Sequence, residues 1–140
     1  MITRIITQSG CSWLWLIGFA FLEGIFRRIV LEPRVPGMLA ELLGIAMVLV
    51  TGTVIAYQFS RRGRLPQSSR VLLLIGGLWV FYTIAFEFLF FHFLAGVPLS
   101  EIADNYDVTT GHLFPIGLAA TFFVPLVGRS ILRVRSTPSS

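Results

Sequence analysis

The sequence predicts an all-α integral membrane protein, a bundle of four transmembrane helices that runs up-down-up-down. Two observations carry this prediction. Of the 140 residues, 55% are hydrophobic and only 13% are charged, which is about half the charge of an average soluble domain. Four apolar runs also reach the roughly 20 residues that a spanning helix needs. The composition excludes a disordered chain, a nucleic-acid module and an ordinary soluble enzyme.

The four predicted spans form a single transmembrane domain over residues 1–140. They cover residues 9–30, 37–59, 71–94 and 112–132. The first is centred on WLWLIGFAFL, and the second is apolar except for Glu41 near its start. The third is interrupted only by Glu87 and His92, and Pro115 suits the first turn of the fourth. An outer loop, residues 95–111, joins the third span to the fourth.

The arginines predict the orientation of the bundle. All eleven basic residues are arginines, and four spans place both termini and the second loop on one side. Eight arginines fall on that side: Arg4, Arg61, Arg62, Arg64, Arg70, Arg129, Arg133 and Arg135. Three fall on the other: Arg27, Arg28 and Arg34. Because cytoplasmic loops are enriched in basic residues, both termini are predicted to be cytoplasmic.

The acidic residues lie on the side of the bundle opposite to most of the arginines. All seven fall in the non-cytoplasmic half: Glu23, Glu32, Glu41, Glu87, Glu101, Asp104 and Asp107. The positive-inside rule says little about acids, so this asymmetry needs another cause. We expect an acidic, polar pocket at the non-cytoplasmic side, formed by the outer ends of helices 1, 2 and 3 and covered by the third loop.

Glu23 and Arg27 stand four residues apart, in the order that favours an ion pair on a helix. One interpretation is a structural clamp in which Glu23, Arg27, Arg28 and Arg34 pair with Glu41. The other is a site for an anion or carboxylate, built from the three arginines.

Glu87 lies several turns inside the third span, where an ionised carboxylate facing lipid is costly. We therefore expect it to face the bundle interior near Thr83. Either Arg27 or Arg28 neutralises it, or it stays protonated. Both a functional site and a structural contact between helices fit this residue.

His92 and His112 are predicted at similar depth, at the ends of consecutive helices. Two such histidines can ligate haem or handle a proton. Glu87 and His92 are five residues apart and do not share a helix face, so no metal site is predicted and hydrogen-bonded interfacial histidines are the simpler interpretation. The phenylalanines around Glu87 leave a quinone or other apolar ligand as an alternative to plain packing.

Small residues predict where helices approach closely, either within one chain or between protomers. Ala40, Gly44, Gly52 and Ala56 form one row on the second helix, and Ala20 with Gly24 forms a similar pair on the first. In the outer loop, Pro98 is predicted to begin a short amphipathic helix. Its apolar face would comprise Leu99, Ile102, Ala103 and Tyr106, and the segment is either a solvated connector or a lid.

Three stretches, LEGIFRR, GGLWVFYTIAFEF and NYD…GHLFP, resemble a family of small uncharacterised bacterial four-helix membrane proteins. The resemblance spans most of the chain and implies the four-helix fold and the bacterial inner membrane. It also implies a shared polar set around Glu23, Arg27, Trp79, Thr83, Glu87 and Tyr106. It implies no activity.

The leading hypothesis is a non-enzymatic accessory or ligand-binding subunit with no catalytic residues, embedded in the lipid bilayer as a homodimer or in a larger complex, without nucleic acid. The candidate ligand- or proton-binding residues are Glu23, Arg27, Arg28, Glu41, Thr83, Glu87, His92, Tyr106 and His112. One alternative is a small proton-coupled transporter that uses Glu87. Another is a redox subunit that holds haem or quinone.

Overall fold

The computed structural model describes residues 1–66 and 68–136, and within these ranges the chain is helical with no strand. The five α-helices are α1 (Ile2–Phe26), α2 (Gly37–Arg61), α3 (Ser69–Leu89), α4 (Leu99–Asp104) and α5 (Phe114–Ser136). Two π-helical turns, Arg27–Leu31 and Phe90–Leu94, continue α1 and α3, and a 3-10 turn, Val108–Thr110, follows α4. The all-α fold class is confirmed.

Three helices of the described residues are long and apolar enough to cross a membrane: Gly37–Arg61, Ser69–Leu94 and Phe114–Ser136. They correspond to the second, third and fourth predicted spans and are consistent with an integral membrane protein. α1 is as long as α2, but it carries Glu23 in its last turn and is followed directly by Arg27 and Arg28.

The four long helices pack as a ring rather than in chain order. α1 packs against α2 and α3, and α5 packs against the same two helices. α2 and α3 therefore occupy one diagonal of the ring, although a short connection joins them. The most extensive packing is between α2 and α5.

Contacts along the interfaces define the relative directions of the helices. From α1 to α3 the pairs are Ser9–Trp79, Trp13–Thr83 and Phe21–Phe90. From α2 to α5 they are Ile45–Gly117, Gly52–Val124 and Ala56–Gly128, and from α1 to α2 they are Leu16–Gly52 and Glu23–Gly44. α1 is thus parallel to α3, α2 is parallel to α5, and α1 is antiparallel to α2.

The interior holds small polar groups around one large aromatic side chain. Trp79 is fully buried, and its indole N–H donates to the carbonyl of Ser9 at 3.2 Å and to Ser12 Oγ at 3.3 Å. Both serines are fully buried, and Ser12 Oγ donates back to the α1 backbone. Many large apolar side chains lie on the outside instead, including Trp15 and Val50, as expected of a surface that faces lipid.

The small-residue row of α2 is confirmed as a helix contact. Ala40, Gly44, Gly52 and Ala56 are all buried. The pair on the first helix makes no such close contact within the described chain, because a Cβ at Gly24 would meet open space, and a contact between protomers stays a prediction.

A glycine of α3 makes the closest approach of all. A Cβ at Gly76 would collide with the backbone carbonyl of Phe122 in α5. Since backbone cannot move aside as a flexible side chain can, only glycine fits this position.

We predict that Gly76→Ala destabilises the protein by about 1–3 kcal/mol, as other overpacked contacts do, or prevents folding. The matched control is Gly77→Ala, where a Cβ would lie an ordinary 3.5 Å from Phe122 Cε2 and where alanine favours the helix. Denaturant unfolding in detergent measures both. Equal stability of the two variants would contradict the close approach.

Candidate functional site

The acidic residues are brought together where α1 and α3 finish and where α2 and α5 begin, a region called the acidic end below. Contacts link its parts, because Glu23 of α1 lies beside Gly44 of α2 and Glu41 of α2 bonds to Leu113 just before α5. Seven acids are found here, and eight of the eleven arginines lie at the opposite, arginine-rich end. Exposure divides the acids further. Glu32, Glu101, Asp104 and Asp107 are exposed, whereas Glu23, Glu41 and Glu87 are partly buried.

Glu87 is held by Tyr106 of residues 95–113, which are called the connecting segment below. The Tyr106 hydroxyl donates to Glu87 Oε2 at 2.9 Å. The phenol ring packs edge-on against Phe114, with centroids 5.3 Å apart, and lies 5.9 Å from the ring of Phe88. Tyr106 therefore ties residues 95–113 to both α3 and α5.

Of the two alternatives predicted for Glu87, neutralisation by Arg27 or Arg28 is not observed. In the described residues neither Arg27 nor Arg28 forms a salt bridge with it, and its hydrogen-bond donor is Tyr106. Thr83, one turn earlier, turns to α1 instead: its hydroxyl accepts from the indole N–H of Trp13 at 3.1 Å and donates to the carbonyl of Trp79 at 2.8 Å. Thr83 and Glu87 thus serve different contacts. The sequence alone does not mark Trp13 as the partner of Thr83, although its indole N–H makes it the natural donor for a buried hydroxyl.

Tyr106 remains a hydrogen-bond donor over a wide pH range. Burial raises the pKa of the phenol well above its ordinary value of 10.0, and the nearby Glu87 charge and the hydrogen bond to it raise the pKa further. Because the neutral phenol is the donor, the contact is maintained at physiological pH.

Glu23 and Arg27 lie close to α2 without forming a direct salt bridge. Glu23 Oε1 and Arg27 Nε are both buried and have no hydrogen-bond partner in the described part of the chain. A Cβ at Gly44 would collide with Glu23 Oε1 and would come within 3.1 Å of Arg27 Cδ. Gly44 therefore leaves the space that both side chains occupy. Glu23 also lines an otherwise largely apolar groove between α1 and α2, together with Phe19 and Met47.

Glu41 does not join the predicted arginine clamp. Its Oε1 accepts a hydrogen bond at 2.9 Å from the backbone N–H of Leu113, at the start of α5. A carboxylate there satisfies a free donor and interacts favourably with the helix dipole. Arg34 bonds to the carbonyl of Val30, and Arg28 is exposed, so the structure does not bring the proposed clamp together.

The two histidines are not brought into a shared site. His92 Nδ1 lies 3.0 Å from the carbonyl of Val97, where it closes the turn after α3, and His112 lies partly buried just before α5. Within residues 1–66 and 68–136, no three His, Cys, Asp or Glu side chains are grouped to hold a metal ion. A haem or quinone site stays a prediction.

The connecting segment has its own internal order. α4 begins after Pro98, as predicted, and Ile102 is buried. Leu99 and Ala103 are exposed, so only Ile102 and Tyr106 of the predicted apolar face point inward.

A hydrogen-bonded turn completes the segment. Asp107 Oδ1 accepts from the Thr109 N–H at 2.9 Å and from its hydroxyl at 2.6 Å, and these bonds lower the pKa of Asp107. Gly111 follows with φ +90°, a left-handed conformation that glycine adopts readily. The segment therefore has a defined shape over the acidic end.

No protein-family model, curated protein or solved structure matches this chain.

We predict that Tyr106→Phe destabilises the protein by about 1 kcal/mol, because Glu87 loses a donor from a neutral hydroxyl. The matched control is Tyr82→Phe on α3, because the Tyr82 ring packs against Trp13 and Phe81 and its hydroxyl has no hydrogen bond to any described residue. Chemical unfolding in detergent measures both variants.

The pH dependence of this difference follows from the direction of the Tyr106 pKa shift. The folded-state pKa lies above the unfolded value of 10.0, so the contribution is fully present below pH 10 and is lost as the pH rises beyond it. The stability difference between wild type and Tyr106→Phe should be equal at pH 7 and pH 9. A difference that vanishes between those pH values would contradict the assignment.

Proposed function

We propose that this protein is a four-span membrane protein of the bacterial inner membrane, with both termini in the cytoplasm. In this proposal α1 crosses the membrane together with α2, α3 and α5, in an up-down-up-down bundle. The positive-inside rule supports the orientation, since eight arginines lie at one end and three at the other.

We further propose that the acidic end is the functional surface and that the protein is a non-enzymatic accessory or binding component. The observation that carries this proposal is the hydrogen bond from Tyr106 to Glu87. It fixes a connecting segment whose exposed side chains include Glu101, Asp104 and Asp107. A surface of fixed shape and negative charge suits a partner or ligand with a complementary positive charge.

The partly buried glutamates have a supporting role in this proposal. Glu41 bonds to Leu113 and Glu87 bonds to Tyr106, so the two glutamates hold the connecting segment at two points. The exposed acids are then free to make the outward contacts.

The topology predicts a pattern of cysteine labelling. In a background with Cys11→Ser, single cysteines replace Asp104, Arg64 or Thr3, all of which are exposed. A membrane-impermeant maleimide added to intact cells should label the cysteine at position 104. Those at positions 64 and 3 should react only after permeabilisation. Labelling of position 3 from outside, without position 64, would show that α1 does not cross the membrane. Labelling of position 64 from outside would show that the orientation is reversed.

The binding proposal predicts a charge-dependent partner. Purification in mild detergent should recover a stoichiometric partner with the wild type. The double variant Glu101→Gln/Asp104→Asn should lose that partner, and Arg61→Gln, which neutralises an exposed charge at the opposite end, should retain it.

Two results would count against the binding proposal. One is recovery of this chain alone, and the other is equal recovery of the partner with both variants. A specific observation would then favour the transporter alternative, because Glu87 is paired with a neutral phenol and not with an arginine. A pH-dependent flux that Glu87→Gln abolishes in the folded protein would establish that alternative.

A further inference from the structure

A buried arginine lies at the opposite end of the bundle from the acidic site. Arg129 of α5 is only 6% exposed. Its Nη1 donates to Ser69 Oγ at 2.8 Å, and its Nε is buried with no hydrogen-bond partner among the described residues. In α2 at the same end, Ser60 is also buried with an unpartnered hydroxyl. The guanidinium is therefore only partly satisfied within the described chain.

No acidic side chain can compensate this charge. All seven acids belong to the acidic end, at the far side of the bundle. Burial of a guanidinium without a counter-ion is unfavourable. Its one described partner, Ser69, supplies a neutral oxygen. An anion from outside the chain would remove this imbalance.

The guanidinium is directed at the start of α3, where an anion would also be favourable. Ser69 is the first residue of α3, and no side chain caps that terminus in the described residues. The first N–H groups of a helix lack partners within the helix, and the helix dipole places partial positive charge there. Ser68, Ser69 and Arg70 are all exposed, so this terminus is open to an incoming group.

We propose that the N-terminus of α3 and the guanidinium of Arg129 together form a binding site for a phosphate group. Backbone N–H groups at the helix start and the planar guanidinium both suit phosphate oxygens. Arg70 adds an exposed positive charge beside them. An anionic lipid headgroup and free phosphate present the same chemistry to this site. The site does not depend on the function proposed for the acidic end.

Two arms of one experiment identify the source. In the first, thermal unfolding of the full chain in a non-ionic detergent is followed with sodium phosphate or with sodium chloride at matched ionic strength. In the second, the chain is placed in nanodiscs of phosphatidylglycerol or of phosphatidylcholine. Stabilisation of the wild type in both arms indicates a site open to free phosphate. Stabilisation by phosphatidylglycerol alone indicates a lipid headgroup.

Variants assign the effect to the site. Arg129→Gln should weaken the apparent affinity by about tenfold or more, as expected when a charged hydrogen-bond donor is lost. Arg135→Gln, an exposed arginine of the same helix that lies over Tyr57, should keep the wild-type response. If neither anion stabilises the wild type beyond its control, or if both variants respond alike, the proposal is overturned.

A second variant keeps the test decisive if Arg129→Gln does not fold. Ser69→Asp places a carboxylate at an exposed position beside the guanidinium and at the start of α3. It should raise the Tm without added anion and abolish the response to phosphate or phosphatidylglycerol. A Ser69→Asp variant that keeps the full response would overturn the proposal.

Discussion

The indole of Trp79 joins α3 to α1 in an interior that excludes water, and the positions of the polar groups elsewhere depend on that junction. Its N–H bonds to Ser9 and Ser12, which fixes how far α1 is displaced along α3. With this register set, Trp13 reaches Thr83 one turn further on. Glu23 then arrives beside Gly44, at the beginning of α2. A hydrogen bond surrounded by apolar side chains is expensive to leave unmade, so the junction also specifies one alignment.

The directions of the helices convert this alignment into a separation of charge along the bundle. One end receives every acidic side chain, and the other receives most of the arginines. At the acidic end, Glu87 accepts a hydrogen bond from Tyr106 of the connecting segment, and Glu41 accepts one from the backbone just before α5. At the arginine-rich end, Arg129 has only a serine as its described partner. The two ends therefore differ: the acidic end presents exposed negative charge on a segment held by Glu41 and Glu87, whereas the arginine-rich end buries the charge of Arg129 without an acidic partner.

The sequence predicts the helices well because their signal is local. Runs of apolar residues mark the long helices, and the spacing of small residues marks the contact row of α2. Pro98 marks the start of α4. Each of these signals depends on residues that are neighbours along the chain, so periodicity and propensity suffice to read them.

The partners within the candidate site could not be predicted in the same way. Tyr106 meets Glu87 only because the connecting segment folds back over α3, and nothing in the spacing of the two residues specifies that path. Glu41 bonds to a backbone N–H, which has no signature in any side chain. The expected pairing of acids with nearby arginines was wrong for a related reason. Residues that are close in sequence can lie on different faces of their helices, so an acid and an arginine at the same end of the bundle need not meet. Gly44 was assigned correctly to a contact, but the group that fills its space is a carboxylate.

Because of the glycine contacts, the helices are not equally free to slide or rotate against their neighbours. α5 is locked at two depths, where Gly76 of α3 admits the Phe122 backbone and where its own Gly128 meets Ala56 and Tyr57 of α2. Sliding or rotation of α5 would drive backbone into backbone. The glycines of α1 face open space, so α1 lacks such interlocking. Rigid-body movement in this fold is therefore easiest for α1 against a fixed three-helix frame, and Glu23 is the charged group that such a displacement would carry.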